Sequence, residues 1–362
     1  MSDRYFRVGD GRISGYVSGA LGVMSWLAVL CFRYPSWFTT PDLRQVYDPA
    51  MLRVVLQAGM WLSLGFGVLT FALGRRRRMG AIGILFTLWA FALGGHTVEI
   101  GVIEQRSTFL GLDFLLLDLL VSAILFTFIE KVIPRYPEQA ILRPEWRLDL
   151  GYFAINHLLV SVVLLVANRF APAAFGWATN DAVRAFVSGL PLAAQVVVLM
   201  IFADLVQYWV HRAFHEVPFL WRFHAVHHSV EHMDWLAGSR LHVMEVLTTR
   251  PIVMVPLYLL GPSEAALDAY VILAAIQAVF IHANVGVPFG PLRHVVVTPQ
   301  FHHWHHSKEE PAIDTNYSVH TPLWDRLFGS LHLPGDHWPA LYGTAAPVPR
   351  TLLGQLVYPF RR

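Results

Sequence analysis

The sequence predicts an all-α protein that crosses a membrane several times and carries a helical cap rich in histidine. Three observations lead to this fold class. Hydrophobic residues make up 55% of the 362 residues and charged residues only 14%, so polar side chains cannot cover a globule of this size. Apolar runs near the ~20 residues that span a bilayer recur along the chain. Thirteen of the eighteen histidines fall between His211 and His306.

The apolar runs that could span a membrane number eight. We place them at residues 15–33, 50–73, 80–100, 109–131, 150–168, 190–210, 246–262 and 265–285. The first run lacks a convincing cleavage site and is interpreted as an anchor. The last two runs are joined by the tight Gly261-Pro262-Ser263 connection, which is compatible with two spans or with one re-entrant hairpin.

Arginine placement orients these runs through the positive-inside rule. The arginines cluster before the first run, between the second and third, and between the fourth and fifth: Arg4, Arg7 and Arg12, then Arg75–Arg78, then Arg135, Arg143 and Arg147. If each run crosses once, all three clusters fall on one side. We therefore expect a multi-pass protein, of a bacterial inner membrane by its composition, with both termini and the histidine-rich cap in the cytoplasm.

The distribution of candidate chemical groups divides the chain near residue 140. Residues 1–140 hold four of the apolar runs and few such groups, so we interpret them as an N-terminal membrane module. Residues 141–340 hold almost all the histidine and form the predicted catalytic domain, and 341–362 are a tail. The net charge of +2 is too small to indicate a nucleic-acid partner.

The histidines occur in three boxes whose spacing places imidazoles on one helix face. The boxes are His211 with His215, then His224 with His227 and His228, then His302 with His305 and His306, while His282 stands alone near the end of the last apolar run. One such box could arise by chance in a chain with many histidines. The repeated pattern, on one predicted side of the membrane, indicates metal ligation.

The number and type of ligands limit the choice of metal. The single Cys31 excludes a thiolate-rich site, and structural zinc sites usually hold four ligands that include cysteine. Eight to ten imidazoles exceed what one ion can bind, so two ions are implied. A haem needs only two axial histidines. Imidazole suits zinc, copper, iron and nickel, so the residues alone leave the metal open.

The three boxes together resemble the fatty acid hydroxylase/sterol desaturase superfamily. The resemblance covers about residues 150–335 and includes further motifs: Arg240-Leu-His242-Val-Met-Glu245, His282-Ala-Asn284, Asp314-Thr-Asn316-Tyr317 and Trp324-Asp325-Arg326-Leu327-Phe328-Gly329. Within that superfamily the motifs look most like those of alkylglycerol monooxygenase and its bacterial relatives. His303 stands where an arginine is common, and we expect it outside the ligand set.

The resemblance implies a centre of two iron ions that uses O2 and two electrons to hydroxylate or desaturate a lipid or sterol-like substrate. Carried onto this chain, the ligands are His211, His215, His224, His227, His228, His282, His302, His305 and His306, with His242 as a candidate tenth. Side chains that would orient these rings are Asp204, Glu216, Glu245, Asn284 and Asn316. Each of these five could instead cap a helix or pair with an arginine such as Arg212 or Arg240.

The electrons are expected from a separate donor, because no dinucleotide-binding motif is visible in the sequence. A reduced pterin, a ferredoxin or a cytochrome would serve. Two rival functions remain open at this point. A dizinc membrane hydrolase would use a metal-bound hydroxide as its nucleophile. A non-catalytic metal-handling protein would need ionisable groups along a path through the bilayer.

Overall fold

The computed structural model describes residues 12–74, 77–99, 101 and 109–361. Throughout these residues the regular elements are helices, and the only strand-like pairings there are isolated bridges from Pro134 to Val285 and from Ser307 to Tyr342. The predicted all-α class is therefore confirmed. Arg4, Arg7, Arg75 and Arg76, which entered the orientation argument, lie outside the described residues.

The α-helices are numbered in chain order and vary from 4 to 25 residues in length. They are α1 (Arg12–Arg33), α2 (Pro35–Phe38), α3 (Pro41–Val46), α4 (Pro49–Leu73), α5 (Arg78–Ala92), α6 (Leu112–Val132), α7 (Trp146–Leu158), α8 (Val160–Phe175), α9 (Asp181–Ser188), α10 (Leu192–Glu216), α11 (Pro218–His228), α12 (Val243–Leu260), α13 (Glu264–Phe280), α14 (Pro299–His305), α15 (Leu323–Phe328) and α16 (Leu352–Val357).

Six helical segments of the described chain, not eight, are long and apolar enough to cross a membrane. They are Ile13–Arg33, Pro49–Leu73, Leu112–Val132, Ser161–Ala178, Leu192–Glu216 and Val243–Leu260. The predicted run at 80–100 ends early because Gly94 and Gly95 adopt left-handed φ angles of 116° and 49°. The run at 150–168 is broken by a turn at Leu159. The last run forms α13, whose 17 residues extend only about 25 Å.

The chain forms two compact units. The N-terminal unit contains the described residues up to Val121 together with His157–Ser161, and the C-terminal unit contains Ser122–Asn156 and the chain from Val162 onward. This division rests on contacts alone. The boundaries predicted at residues 140 and 340 concern function and stay predictions.

Small and hydroxyl-bearing residues pack α1, α4 and α5 together in the N-terminal unit. A Cβ atom on Gly22 of α1 would lie 2.4 Å from the carbonyl oxygen of Gly83 on α5, so these two backbones touch. The Ser18 and Ser63 hydroxyls each donate to the other residue's carbonyl oxygen at 2.8 Å, and Thr87 donates to the Ser63 hydroxyl at 2.8 Å. Close approach and hydrogen bonding of this kind are typical of helices that associate in lipid.

The core of the C-terminal unit lies among α10, α12 and α13. Leu199 of α10 packs with Leu257 of α12 and Tyr270 of α13, and all three side chains are almost completely buried. The same α10 ends in the first histidine box. Only Val217, with extended φ and ψ angles, separates α10 from α11, and the proline that follows it is suited to begin a helix. The first and second boxes therefore come into contact.

Candidate metal centre

Two short helices carry the second and third histidine boxes, and the first box lies at the end of the long α10. α11 carries the second box in its last two turns, and α14 with the residue that follows it carries the third box. α14 is fixed at its start by Thr298, whose hydroxyl accepts a hydrogen bond from the backbone N–H of Phe301 at 3.3 Å. Pro299 stands in the first turn of α14, where proline is favoured because its fixed φ angle suits a helix and its missing N–H would have no partner there. Because side chains three and four residues apart share a helix face, each box presents its rings together.

Nine of the predicted histidines meet in two groups, and every one of them is buried. The first histidine group is His211, His215, His224, His228 and His305, and the second is His227, His282, His302 and His306. Within each group the candidate ligand atoms lie within 4.8 Å of one another. Both groups draw on the second and third boxes, so the boxes and the groups are different divisions of the same residues.

The ring Nε2 atoms face one another at distances that suit a shared ion. The Nε2–Nε2 distances are 3.0 Å for His211–His224, 3.2 Å for His224–His228, 3.0 Å for His228–His305, 3.3 Å for His227–His282, 2.9 Å for His282–His302 and 3.1 Å for His302–His306. Two nitrogens that bind one ion at about 2.1 Å and at a right angle lie about 3 Å apart.

The opposite ring nitrogens show that the contact between His227 and His282 is not a simple hydrogen bond. The Nδ1 atoms of four histidines lie 2.7–3.1 Å from backbone carbonyl oxygens, pairing His211 with Tyr317, His227 with Arg240, His282 with Ala278 and His305 with Thr315. A carbonyl oxygen only accepts, so Nδ1 carries the hydrogen and Nε2 of a neutral ring carries a lone pair. Two lone pairs then face each other between His227 and His282, an arrangement that a cation relieves.

Two carboxylates hold further rings in the same way. His224 Nδ1 donates to Glu245 at 2.8 Å, and this carboxylate is almost completely buried. His215 Nδ1 donates to Asp314 at 3.1 Å, and its own Nε2 is buried without a hydrogen-bond partner. Imidazole ligands of metals commonly donate their second N–H to a carboxylate or carbonyl. The donor set therefore fits two metal ions.

Burial keeps the imidazoles of α11 and α14 neutral. Desolvation, reinforced by the neighbouring rings, lowers the pKa of His224 and of His302 well below the ordinary value of 6.5. The pKa values of His227, His228, His305 and His306 are lowered well below 6.5 for the same reasons. Only a neutral imidazole offers a lone pair to a metal, so the rings are held in the form that binds.

Two buried aspartates hold the segment that supports the first histidine group. Asp204 of α10 accepts hydrogen bonds from the backbone N–H groups of residues 319–321 at 2.8–3.0 Å. Asp325 accepts from the N–H groups of Tyr317 and Ser318 at 2.7 and 2.8 Å. Asp204 thus touches none of the nine rings. It fixes the backbone whose Tyr317 carbonyl accepts from His211.

Asn316 and Asp314 form a turn beside this segment. The Asn316 amide donates to the carbonyl oxygens of Phe301 and His332 at 3.0 and 2.7 Å, which ties the turn to α14. Both residues adopt left-handed φ angles, 56° for Asp314 and 61° for Asn316, a conformation that Asn and Asp tolerate better than most residues. The turn directs the Asp314 carboxylate at His215.

Four residues that the sequence motifs singled out lie away from both histidine groups. His242 accepts from the backbone N–H of Met244 through Nδ1 and contacts the Leu356 carbonyl through Nε2 at 3.1 Å each, so both ring nitrogens are engaged and the prediction of a tenth ligand is corrected. Glu216 pairs with Arg212 at the surface. Asn284 binds the backbone of Tyr136. His303 contacts Tyr342, outside both groups as expected.

A buried ion network that the sequence did not reveal supports the second group. The Arg240 guanidinium pairs with Asp149 at 2.5 Å and with Glu145 at 3.1 Å, while its carbonyl accepts from His227. Asp149 also pairs with Arg143, and Arg143 pairs with Asp234, each at 2.7 Å. Arg143 is therefore enclosed in ion pairs and does not face solvent or lipid.

Comparison with known proteins identifies the part of the chain that carries both groups. Residues 196–330 match the fatty acid hydroxylase family. The segment with both histidine groups thus matches a fatty acid hydroxylase domain. The resemblance drawn from the boxes is therefore confirmed, and all nine grouped histidines lie inside the domain. The N-terminal unit lies outside the match.

Three curated proteins show the range of relatives. The chain is 37% identical to ornithine lipid hydroxylase OlsE of Rhizobium tropici over 175 residues, which is 48% of this chain and 52% of the relative. It is 32% and 30% identical to the alkylglycerol monooxygenases of Danio rerio and Homo sapiens, over 40% of this chain and 32% of each relative. The chain thus spans between about a third and a half of these relatives. No solved structure gives a significant match.

Proposed function

We propose that this protein is a membrane-bound di-iron oxygenase that hydroxylates a C–H bond of a membrane lipid. The observation that carries the proposal is the pair of histidine groups, in which buried Nε2 atoms converge at about 3 Å while the Nδ1 hydrogens of six rings are directed to carbonyls and carboxylates. The five rings of the first group would hold one ion, and the four of the second group would hold the other.

Iron fits this ligand set better than zinc does. Zinc in structural sites takes four ligands and in catalytic sites usually three protein ligands, whereas the first group gathers five imidazoles. The relatives named hydroxylase and monooxygenase favour an oxidation over a hydrolysis, and hydroxylation over desaturation. Measured metal content decides between iron and zinc directly.

When bound, the two irons would couple the reduction of O2 to the oxidation of a nearby carbon. The overall reaction consumes the substrate, O2, two electrons and two protons and yields an alcohol and water. Glu245, Asp314 and the four carbonyls hold six of the rings in one tautomer, and burial of the rings excludes water from the centre. The electrons come from a separate donor, a ferredoxin, a cytochrome or a reduced pterin.

The substrate in this proposal is an amphiphilic lipid taken from the membrane. The names of the relatives refer to an ornithine lipid and to alkylglycerols, which share a long apolar chain and a polar head. The candidate membrane-spanning helices, α10 and α12 among them, would give such a chain lateral access. We further propose a bacterial inner membrane location with the centre and both termini facing the cytoplasm.

The test combines metal analysis with lipid analysis. The purified chain should hold two irons, and turnover of a reduced preparation should consume O2. A strain lacking the protein should lose one hydroxylated lipid, wild type should restore it, and His305→Ala should not. His337→Ala serves as the control because His337 is exposed and outside both groups. Two zinc ions, together with turnover that does not depend on O2, would contradict this proposal and support a dizinc hydrolase.

A further inference from the structure

The N-terminal unit contains an apolar cavity that the oxygenase proposal leaves unused. Its volume is about 270 Å³, and its walls come from α1, α4 and α6, with Leu21, Ala28, Leu56, Leu62, Leu116 and Leu120 among them. All of these residues precede the matched domain at 196–330. The three helices are candidate membrane spans, so the cavity lies between segments whose solvent is expected to be lipid.

The cavity is a slot parallel to the helices. Its lining residues extend from Leu21 to Phe32 on α1 and from Leu52 to Leu62 on α4. Eleven or twelve residues of helix span about 15–17 Å at about 1.5 Å per residue. The hydrocarbon core of a bilayer is about 30 Å thick, so the slot is as long as the acyl region of one leaflet.

One end of the slot is polar and well ordered. Asp113, at the start of α6, accepts hydrogen bonds from the backbone N–H and the hydroxyl of Thr40 at 2.8 and 3.1 Å. It also accepts from the Tyr47 hydroxyl at 3.0 Å and from the N–H of Phe114 at 2.8 Å. This carboxylate is therefore saturated with donors and is not available to a cationic headgroup.

Arg44 supplies a positive charge at the same end. Its guanidinium lies over the Tyr47 ring at 5.2 Å and lines the slot. Among the described side chains no carboxylate forms an ion pair with it. The slot thus combines an apolar wall of leaflet length with a cation at its polar end, which is complementary to an anionic amphiphile.

We propose that the N-terminal unit binds one acyl chain of an anionic lipid, with the phosphate or carboxylate of the lipid at Arg44. The apolar part of the slot offers no hydrogen-bond partners to water. A methylene chain would fill this part and make van der Waals contact with its walls. The site goes beyond the proposed oxygenase function and does not depend on it.

Photo-crosslinking of the full chain in phosphatidylcholine nanodiscs tests the site. Three probes carry the same diazirine acyl chain: a phosphatidylglycerol, a phosphatidylcholine and a free fatty acid. We expect an anionic probe to label peptides of α1, α4 and α6 that line the slot, and the zwitterionic probe to label them less. Whichever anionic probe labels the slot more strongly shows whether the site prefers a phosphate or a carboxylate headgroup.

Two glycines of α4 offer a matched pair of variants. A Cβ on Gly59 meets only the Ser25 hydroxyl, at 3.3 Å, and Gly59 lines the slot, whereas a Cβ on Gly65 meets nothing within 4 Å. Gly59→Leu should lower slot labelling about tenfold, and Gly65→Leu should leave it unchanged. Arg44→Gln should lower labelling by the anionic probes about tenfold and by phosphatidylcholine little, because a charge-assisted contact is lost.

Several results would overturn the proposal. Equal slot labelling in Gly59→Leu and Gly65→Leu would exclude an acyl chain in the slot. Equal labelling by all three probes, or no effect of Arg44→Gln, would exclude the anionic headgroup. If Gly59→Leu does not fold, the positions labelled in the wild-type chain test the proposal alone. Labels spread over the outer faces of the helices would contradict binding in the slot.

Discussion

Two glutamates show how burial changes the strength of a contact between a carboxylate and a basic side chain. Glu245 and His224 meet at 2.8 Å, and Glu216 and Arg212 meet at 2.7 Å. The side chain of Glu245 is 9% exposed and that of Glu216 is 48% exposed. Water screens the exposed pair, so it contributes little, while the buried carboxylate acts on a ring of the first histidine group.

Replacement of Glu245 by glutamine should weaken metal binding. Glutamine keeps an acceptor for His224 Nδ1 but removes the charge that makes the ring a stronger ligand. We expect a loss of roughly 10–100-fold in metal affinity, measured by competition with a chelator. Glu216→Gln is the matched control and should behave like wild type. Equal effects of the two substitutions would contradict the role given to Glu245.

His242 should matter for stability and not for metal content. Its Nδ1 accepts from the backbone N–H of Met244 at the start of α12, the position of a helix cap. Loss of such a cap costs about 0.5–2 kcal/mol. His242→Ala should therefore lower the thermal midpoint while the iron content stays at the wild-type level. A variant that lost one iron would restore His242 to the ligand set.

At the scale of elements, the contact between α1 and α5 is the most sensitive to side-chain size. Gly22→Ala places a methyl group 2.4 Å from the Gly83 carbonyl oxygen, which is backbone and cannot rotate away. The helices must separate, at a cost of about 1–3 kcal/mol. Gly65→Ala adds the same methyl group in open space and should be neutral. Thermal unfolding in detergent distinguishes the two, and equal midpoints would refute the close contact.

The sequence predicted the helices well where apolar runs are long, and poorly at their interruptions. α1, α4, α6, α10 and α12 coincide with predicted runs within a few residues. The early end of α5 depends on the left-handed conformation of Gly94 and Gly95, and composition alone does not show which glycines adopt it. The break between α7 and α8 falls in an apolar stretch and has no residue signal.

The same contrast holds for the candidate site. Helical spacing and resemblance together indicated nine histidines, because a box on one helix face is a local property. Their division into two groups depends on how α10, α11 and α14 pack, which spacing does not determine. Four rings donate to the backbone carbonyls of Tyr317, Arg240, Ala278 and Thr315. Every residue carries a carbonyl, so the motifs that contain Arg240, Thr315 and Tyr317 did not reveal this role, and Ala278 lies in none of them. Asp314 had a signal, through its place in the Asp314-Thr-Asn316 motif.

For the whole molecule, bound metal should be a major source of stability. Without it, nine rings stay buried together, and the lone pairs of His227 and His282 face each other at 3.3 Å. Chelation should lower the thermal midpoint, since an ion present at about 1,000 times its dissociation constant adds about 4 kcal/mol. Readdition of iron should restore it. A midpoint that does not respond to chelator would contradict metal in this centre.

Acid should destabilise the metal-free chain in a defined direction. Burial lowers the pKa of His224, His227 and His302 well below 6.5 in the folded state, while the unfolded chain protonates these rings near 6.5. Protons therefore favour the unfolded state, so stability falls as the pH drops below about 6.5 and is unaffected by these groups above it. Denaturant titrations at several pH values measure the effect.

The two short helices that carry the boxes each serve both histidine groups. α11 gives His224 and His228 to the first group and His227 to the second, while α14 with its next residue gives His305 to the first and His302 and His306 to the second. On the proposed ligand set, filling one position aligns the helices for the other, so iron uptake is cooperative. At half the iron needed, native mass spectra should contain mainly empty and doubly occupied chains.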